Sequence, residues 1–344
     1  MNPAGGNSHI LSVEVTDMPA AGGRPPAGFP LCPHCGGSGF AVLFSGSDRL
    51  YHTTARRFEI VECARCSLLR LEPQPTAAEL HEFYPENYWW APDPSVTGRL
   101  EGVYRNLVLG DHLRFVAAGL EEQHLEEPRP VLDAGCGGGS FLAALARHGF
   151  RVAGLDFSAR AASVAWRANG VAAVCASLDH APFPPETFRA ITLFHVLEHL
   201  PRPGDYLDAA HRLLVPGGRL YVQVPNAACW QFLLLGARWS GIDIPRHLIH
   251  FRAADLERLL AAHGFRVLRR KFFSLRDNPA GLATSLAPEL EPMSRRVRRV
   301  VESPAARLAK NLLYLALAAL ALPLTALEAA AGSGSTILIE AARQ

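Results

Sequence analysis

Three groups of residues in this chain have types and spacings that suit chemistry. The first is the run Val131-Leu132-Asp133-Ala134-Gly135-Cys136-Gly137-Gly138-Gly139-Ser140, followed by Gly154-Leu155-Asp156-Phe157. Glycines let the backbone turn sharply and let a ligand come close. A helix beginning at Ser140 would add unpaired N–H groups at its N-terminus. That much is shared with dinucleotide sites, but Asp133 shifts the balance. A carboxylate two residues before the first glycine repels a pyrophosphate and suits a ligand carrying an ammonium and a sulfonium. Asp156 ends the next apolar run, where a carboxylate can take both hydroxyls of a ribose.

The second group is Cys32-Pro33-His34-Cys35 with Cys63-Ala64-Arg65-Cys66. Two residues between cysteines let both thiolates of a pair face one ion, and four thiolates make a closed tetrahedral site for a structural zinc. A redox dithiol or unpaired thiols are the alternatives. Seven cysteines in all, three of them isolated (Cys136, Cys175 and Cys229), argue against a secreted disulfide framework. The third group is histidine: His195 and His199 flank Glu198, and His247 and His250 lie in Pro245-Arg246-His247-Leu248-Ile249-His250-Phe251. Histidine is the usual base for taking a proton from an oxygen. The pattern marks no metal-dependent acceptor site.

These residues need a frame. The 344 residues are 49% hydrophobic and 19% charged, enough for one large domain and smaller ones. A net charge of +2 gives no global field for nucleic acid. Residues 1–30 read as a disordered tail and 31–75 as a zinc ribbon with strand-like Phe58 to Val61. Residues 76–125 read as an aromatic linker and helix. Thr76 caps a first short helix, and Phe83, Tyr84, Tyr88, Trp89 and Trp90 form a cluster that either joins two domains or lines a substrate face. From 126 to 285 short apolar runs alternate with helix-length segments, which predicts an α/β domain with a parallel sheet. Strands are expected at Val131-Leu132, Val152–Asp156, Val171–Cys175, Ala190–His195, Leu220–Val224 and Phe265–Phe273. Helices are expected at Ser140–His148, after the cap Ser158, at Asp205–Leu214 and at Asp255–His263. Residues 286–334 form an apolar helical insert, with an uncharged run from Leu312 to Leu327 interrupted by Pro323, and 335–344 return as a last strand.

The loop and its acids resemble the class I S-adenosylmethionine methyltransferases. Asp133, Gly135, Gly137 and Gly139 fit that family's D/E-x-G-x-G-x-G motif, Asp156 fits its ribose-binding acid, and Leu214-Val215-Pro216-Gly217-Gly218-Arg219-Leu220 resembles its LxPGGxL turn. The resemblance implies a Rossmann-like seven-stranded sheet, an antiparallel final strand at Ser335 to Ala341, and S-adenosylmethionine bound by Asp133, Gly135, Gly137, Gly139, Asp156, Phe157, Ser177, Leu178 and His195. Ser177 stands where the family often has Asp, and Arg189 follows Phe188 where it usually has Asp. It further implies methyl transfer, with His199 and His247 as candidate bases for an oxygen acceptor. A ribbon, the stretch Cys66 to Pro75 and the aromatic Tyr84 to Tyr88 ahead of such a domain resemble bacterial methyltransferases of glycan and secondary-product pathways. The acceptor implied is a small molecule, a glycan or a lipid-linked compound. An RNA-modifying methyltransferase, or a ribbon that binds nucleic acid, is the alternative. The N-terminus does not read as a signal peptide, so a cytoplasmic home is expected. The insert, with its basic lead-in Arg295, Arg296, Arg298 and Arg299, leaves three readings open: a soluble lid, a homodimer face, or peripheral membrane contact through 295–330.

Overall fold

The computed structural model describes residues 31–85, 96–123 and 128–344. The expected tail at 1–30 and the aromatics Tyr88, Trp89 and Trp90 lie outside them. The first sheet is built from β1 (Phe40–Gly46), β2 (Phe58–Cys63) and β3 (Leu69–Glu72), each antiparallel to the next. Thr76 then caps α1 (Ala77–Glu82) in a capping box with Glu79, as its type suggests. The long α2 (Val96–Glu121) leads to the second sheet.

That sheet begins with β4 (Val131–Ala134), buried along its whole length as a central parallel strand must be. It continues through α3 (Ser140–Arg147), β5 (Val152–Asp156), α4 (Ala159–Asn169), β6 (Ala173–Cys175), β7 (Phe188–Phe194), α5 (Pro203–Leu213) and β8 (Leu214–Pro225). The Ser158 hydroxyl accepts the Ala161 N–H at the start of α4, and Gly170, at φ 65°, ends it. Beyond β8 come α6 (Trp230–Leu235), the two-residue β9 (Ile249–His250), α7 (Ala253–Ala262), β10 (Phe265–Lys271), α8 (Asp277–Leu286), α9 (Pro292–Val297), α10 (Pro304–Ala330) and β11 (Thr336–Arg343). The seven strands run in the order β10-β11-β8-β7-β4-β5-β6, with β11 antiparallel between β8 and β10. The last strand returns antiparallel to the sheet as expected, running to Arg343.

Three features depart from the sequence expectations. The Pro216-Gly217-Gly218 turn is absorbed into β8, whose pairing with β7 shifts register there. The run broken by Pro323 is one continuous helix of 27 residues, because a single proline removes one hydrogen bond and α10 has packing to hold it. And the ribbon sheet takes its fourth strand from far outside 31–75: β9 pairs with β3, Leu69 opposite His250 and Arg70 opposite Ile249. One apolar core runs through both sheets, from Phe58, Ile60 and Leu69 to Leu197, Leu248 and Phe251.

Candidate active site

The glycine loop leaves β4 and enters α3. Gly135, Gly137 and Gly139 have φ of 84°, 51° and 75°, a region in which a side chain is strained. At Gly135 a Cβ would also lie 2.7 Å from the Val196 side chain. The Gly135 and Cys136 N–H groups donate to the Leu155 carbonyl at 2.8 and 3.0 Å, tying the loop to the end of β5. Asp156 completes that tie: its two oxygens accept the Gly137 and Ser158 N–H groups, each at 2.9 Å. Burial raises its pKa, against the pull of those two donors. Asp133 is more enclosed. Burial pushes its carboxyl up to about 7, although the Thr192 hydroxyl donates to it at 2.5 Å.

The other residues expected at the cofactor surround the same strand ends. Phe157 follows Asp156 with 62% of its surface exposed. The Ser177 hydroxyl is 3.3 Å from His180 Nδ1. Leu178, next to it, is wholly buried. His195, at φ 56°, follows β7 with Nδ1 3.3 Å from Glu198 and Nε2 3.5 Å from Asp277. Burial disfavours its cation, but Asp277 and Glu198 overcome this and lift it to about 9.

On the far side of His195 the two candidate bases meet. The His199 and His247 rings are 4.7 Å apart, centroid to centroid. His199 Nδ1 lies 3.0 Å from the Arg246 carbonyl and 2.8 Å from the Tyr84 hydroxyl, and His247 Nδ1 lies 2.9 Å from the Gly241 carbonyl. Carbonyls need donors, so Nδ1 carries a proton in both imidazoles. Burial and the neighbouring His247 hold His199 down at about 4, so it is neutral at pH 7. Glu198 is buried beneath them. Burial favours its neutral form, yet the surrounding histidines keep its pKa below the usual value, and its Oε2 has no hydrogen-bond partner. Ligand atoms of Glu198, His199 and His247 lie within 4.8 Å of one another. This arrangement can accept a proton or hold a divalent cation, a group the sequence pattern did not mark.

Sequence reasoning also missed a buried polar chain. His112 Nε2 is 2.5 Å from Gln223 Oε1, and Gln223 Nε2 donates to Asp277 at 2.7 Å, beside His195. A glutamine within the apolar strand Leu220–Val224 is the signal that points to it. Arg246 is fully buried between Asp48 and Asp243, at 2.9 and 2.7 Å, and so pins the His247 loop to the ribbon.

In the ribbon, Cys32 Sγ lies 3.6 Å from Cys66 Sγ and Cys35 Sγ lies 3.6 Å from Cys63 Sγ, with all four sulfurs within 4.8 Å. A tetrahedron with Zn–S bonds of about 2.3 Å has edges of about 3.8 Å, so the donor set fits zinc.

A seven-stranded sheet in this order, with a glycine loop after one strand and an acid closing the next, defines the class I methyltransferase fold. Residues 105–270 match the family described as Methyltransferase domain, and this segment belongs to the class I S-adenosylmethionine-dependent methyltransferases. The chain is 34% identical over 168 residues to a "Ubiquinone biosynthesis O-methyltransferase" of Pectobacterium carotovorum, a match covering 46% of this chain and 66% of that protein. It is 39% identical over 125 residues to the protein of the same name from Xylella fastidiosa, covering 34% and 50%. The chain thus spans between half and about two thirds of these curated relatives. A solved S-adenosylmethionine-dependent methyltransferase from Archaeoglobus fulgidus is similar at 18% identity and a TM-score of 0.46, covering 72% of this chain and all of that one.

Proposed function

We propose that the chain transfers the methyl group of S-adenosylmethionine to a hydroxyl oxygen of a small-molecule acceptor. The observation that carries this reading is the Gly137–Asp156 hydrogen bond, which joins the glycine loop and the ribose acid into one cradle. In this reading Asp156 holds the ribose hydroxyls, Asp133 faces the amino end of the cofactor, and Phe157 and Ser177 border the adenine. The sulfonium is already a good leaving group, so catalysis rests mostly on positioning the acceptor. His199 and His247 would take the proton an oxygen acceptor must lose. Relatives named as O-methyltransferases of ubiquinone biosynthesis support a small-molecule oxygen acceptor over a glycan. We further propose that Cys32, Cys35, Cys63 and Cys66 hold a structural zinc. Its job is to fix β3, and through β9 the loop bearing His247.

A nucleic-acid acceptor is disfavoured by how the ribbon uses its arginines. Arg56 pairs with Glu79 at 2.6 Å, Arg65 donates to the Cys35 carbonyl, and Arg70 is buried against Glu72. A second reading of the acceptor side is a divalent cation on Glu198, His199 and His247, favoured by the orphaned Glu198 oxygen. The test is transfer of radiolabelled methyl from S-adenosylmethionine to a panel of catechols, sugars and RNA, with and without added Mg2+ or Mn2+. Labelled catechol ether supports the proposal. Label confined to RNA or sugar contradicts it, and a strict metal requirement selects the second reading.

A further inference from the structure

The helix α10 has two unlike sides. Tyr314, Ala321, Thr325 and Glu328 face the body of the protein, whereas Leu312, Leu313, Leu315, Leu320, Leu324 and Leu327 are exposed, Leu320 by 76%. At roughly 100° per residue the exposed leucines spread over about half of the helix circumference. No charged residue occurs between Lys310 and Glu328, and the mean hydropathy over 18 residues reaches 1.9. The length, about 40 Å, would cross a bilayer, but the anchoring forbids it. Near its start, Lys310 and Arg295 both hold Glu302, at 3.2 and 2.6 Å. In its middle Tyr314 bonds Thr284 and the Ala280 carbonyl of α8. At its end the Glu328 carboxylate accepts the Gln231 N–H and Nε2 at 3.0 and 2.8 Å, and the chain re-enters the sheet as β11. Both ends belong to one body, so the helix lies flat with its apolar side outward.

We propose that this face docks in the plane of an anionic lipid bilayer. The surroundings select lipid over a protein partner. The exposed side from Leu312 to Leu327 is leucine, alanine and Pro323, with no aromatic anchor and no hydrogen-bonding side chain, whereas protein interfaces rely on both. A hydrocarbon surface needs neither. Cations gather where the helix begins: Arg296, Arg299 and Arg307 are exposed, and Val301 projects among them with 99% of its surface uncovered. Arginines beside an apolar wedge complement anionic headgroups. At the other end Leu233 and Leu234 of α6 are also exposed, two and three residues along from the Gln231 that bonds Glu328. The helix α8 beneath α10 begins at Asp277, the partner of His195, so one helix joins the docked face to the site.

Vesicle co-sedimentation of the full chain tests this independently of methyl transfer. Wild type should partition onto vesicles of equal parts phosphatidylcholine and phosphatidylglycerol. The triple variant Leu312→Gln/Leu320→Gln/Leu324→Gln should bind about a hundredfold more weakly and keep its affinity for S-adenosylhomocysteine, which separates lost docking from lost folding. Arg299→Gln/Arg307→Gln should weaken binding to anionic vesicles about fivefold per charge and leave neutral vesicles unaffected. No partition of wild type onto either vesicle overturns the proposal. So does a solution dimer that the leucine variant dissolves while vesicle binding is absent, since a second copy would then own the face.

Discussion

The Asp156 carboxylate accepts the Gly137 N–H at 2.9 Å, so the acid that ends one strand also shapes the glycine loop that follows its neighbour. Its other oxygen takes the Ser158 N–H at the start of α4. The cradle is therefore in place before any ligand arrives, which lowers the cost of ordering a flexible cofactor.

The proposed contact of Asp133 with the cofactor predicts proton-linked binding. Its folded pKa of about 7 lies above the ordinary 3.8 of an aspartate. The stability linked to its neutral form is complete below 3.8 and is lost as pH rises through 7. A ligand ammonium beside it favours the carboxylate, so binding at pH 6 should release about one proton. Calorimetry of S-adenosylhomocysteine binding in buffers of different ionisation enthalpy measures this. Asp133→Asn should abolish the release, and an unchanged proton count in that variant would assign the proton elsewhere.

His247→Ala and His199→Ala should each lower kcat by about 10²–10⁴ if these imidazoles act on the acceptor proton, with S-adenosylhomocysteine affinity nearly unchanged. The split between constants decides the role. A higher KM at constant kcat would mean that the pair only shapes the pocket.

Metal removal should reach the site through the ribbon. Purified protein should carry one zinc, measured by mass spectrometry of the metal. Cys35→Ser/Cys66→Ser should lose it and lower Tm by roughly 5–10 °C. Because β3 is paired to β9 next to His247, methyl transfer should fall as well. Full metal loss with unchanged Tm and turnover would detach the ribbon from the account.

Arg246 offers a purely structural check. It is fully buried with Asp48 and Asp243, and although burial works against the charge, it holds Asp48 down at about 2. That stabilisation is present above the ordinary 3.8 and is lost only as pH falls through about 2. Arg246→Met strands two carboxylates and should cost about 3–5 kcal/mol in urea unfolding. Asp48→Asn in the same background should recover part of it, and failure to do so would deny the coupling.

What was legible in the sequence was what the chain builds locally. Asp133 to Ser140 is strand, loop and helix in one stretch, and each cysteine knuckle closes over four residues, so type and spacing alone placed them. The convergence of Glu198, His199 and His247 was not legible, because it depends on a loop pinned from afar by Asp48 and on a two-residue strand that has no pattern of its own. The same holds for Gln223 and Asp277, whose meeting depends on how α8 packs against β8. The composition of α10 announced an apolar helix, but which side it turns outward follows only from Tyr314, Thr325 and Glu328 facing the body.

The most direct measurement is calorimetric titration of S-adenosylhomocysteine into the wild-type chain and into Asp133→Ala/Asp156→Ala. Saturable binding by the wild type, weakened about a hundredfold or more in the double variant, is the predicted result. Equal affinity in the two proteins, both folded by circular dichroism, would contradict the assignment of the cradle and the methyl transfer built on it.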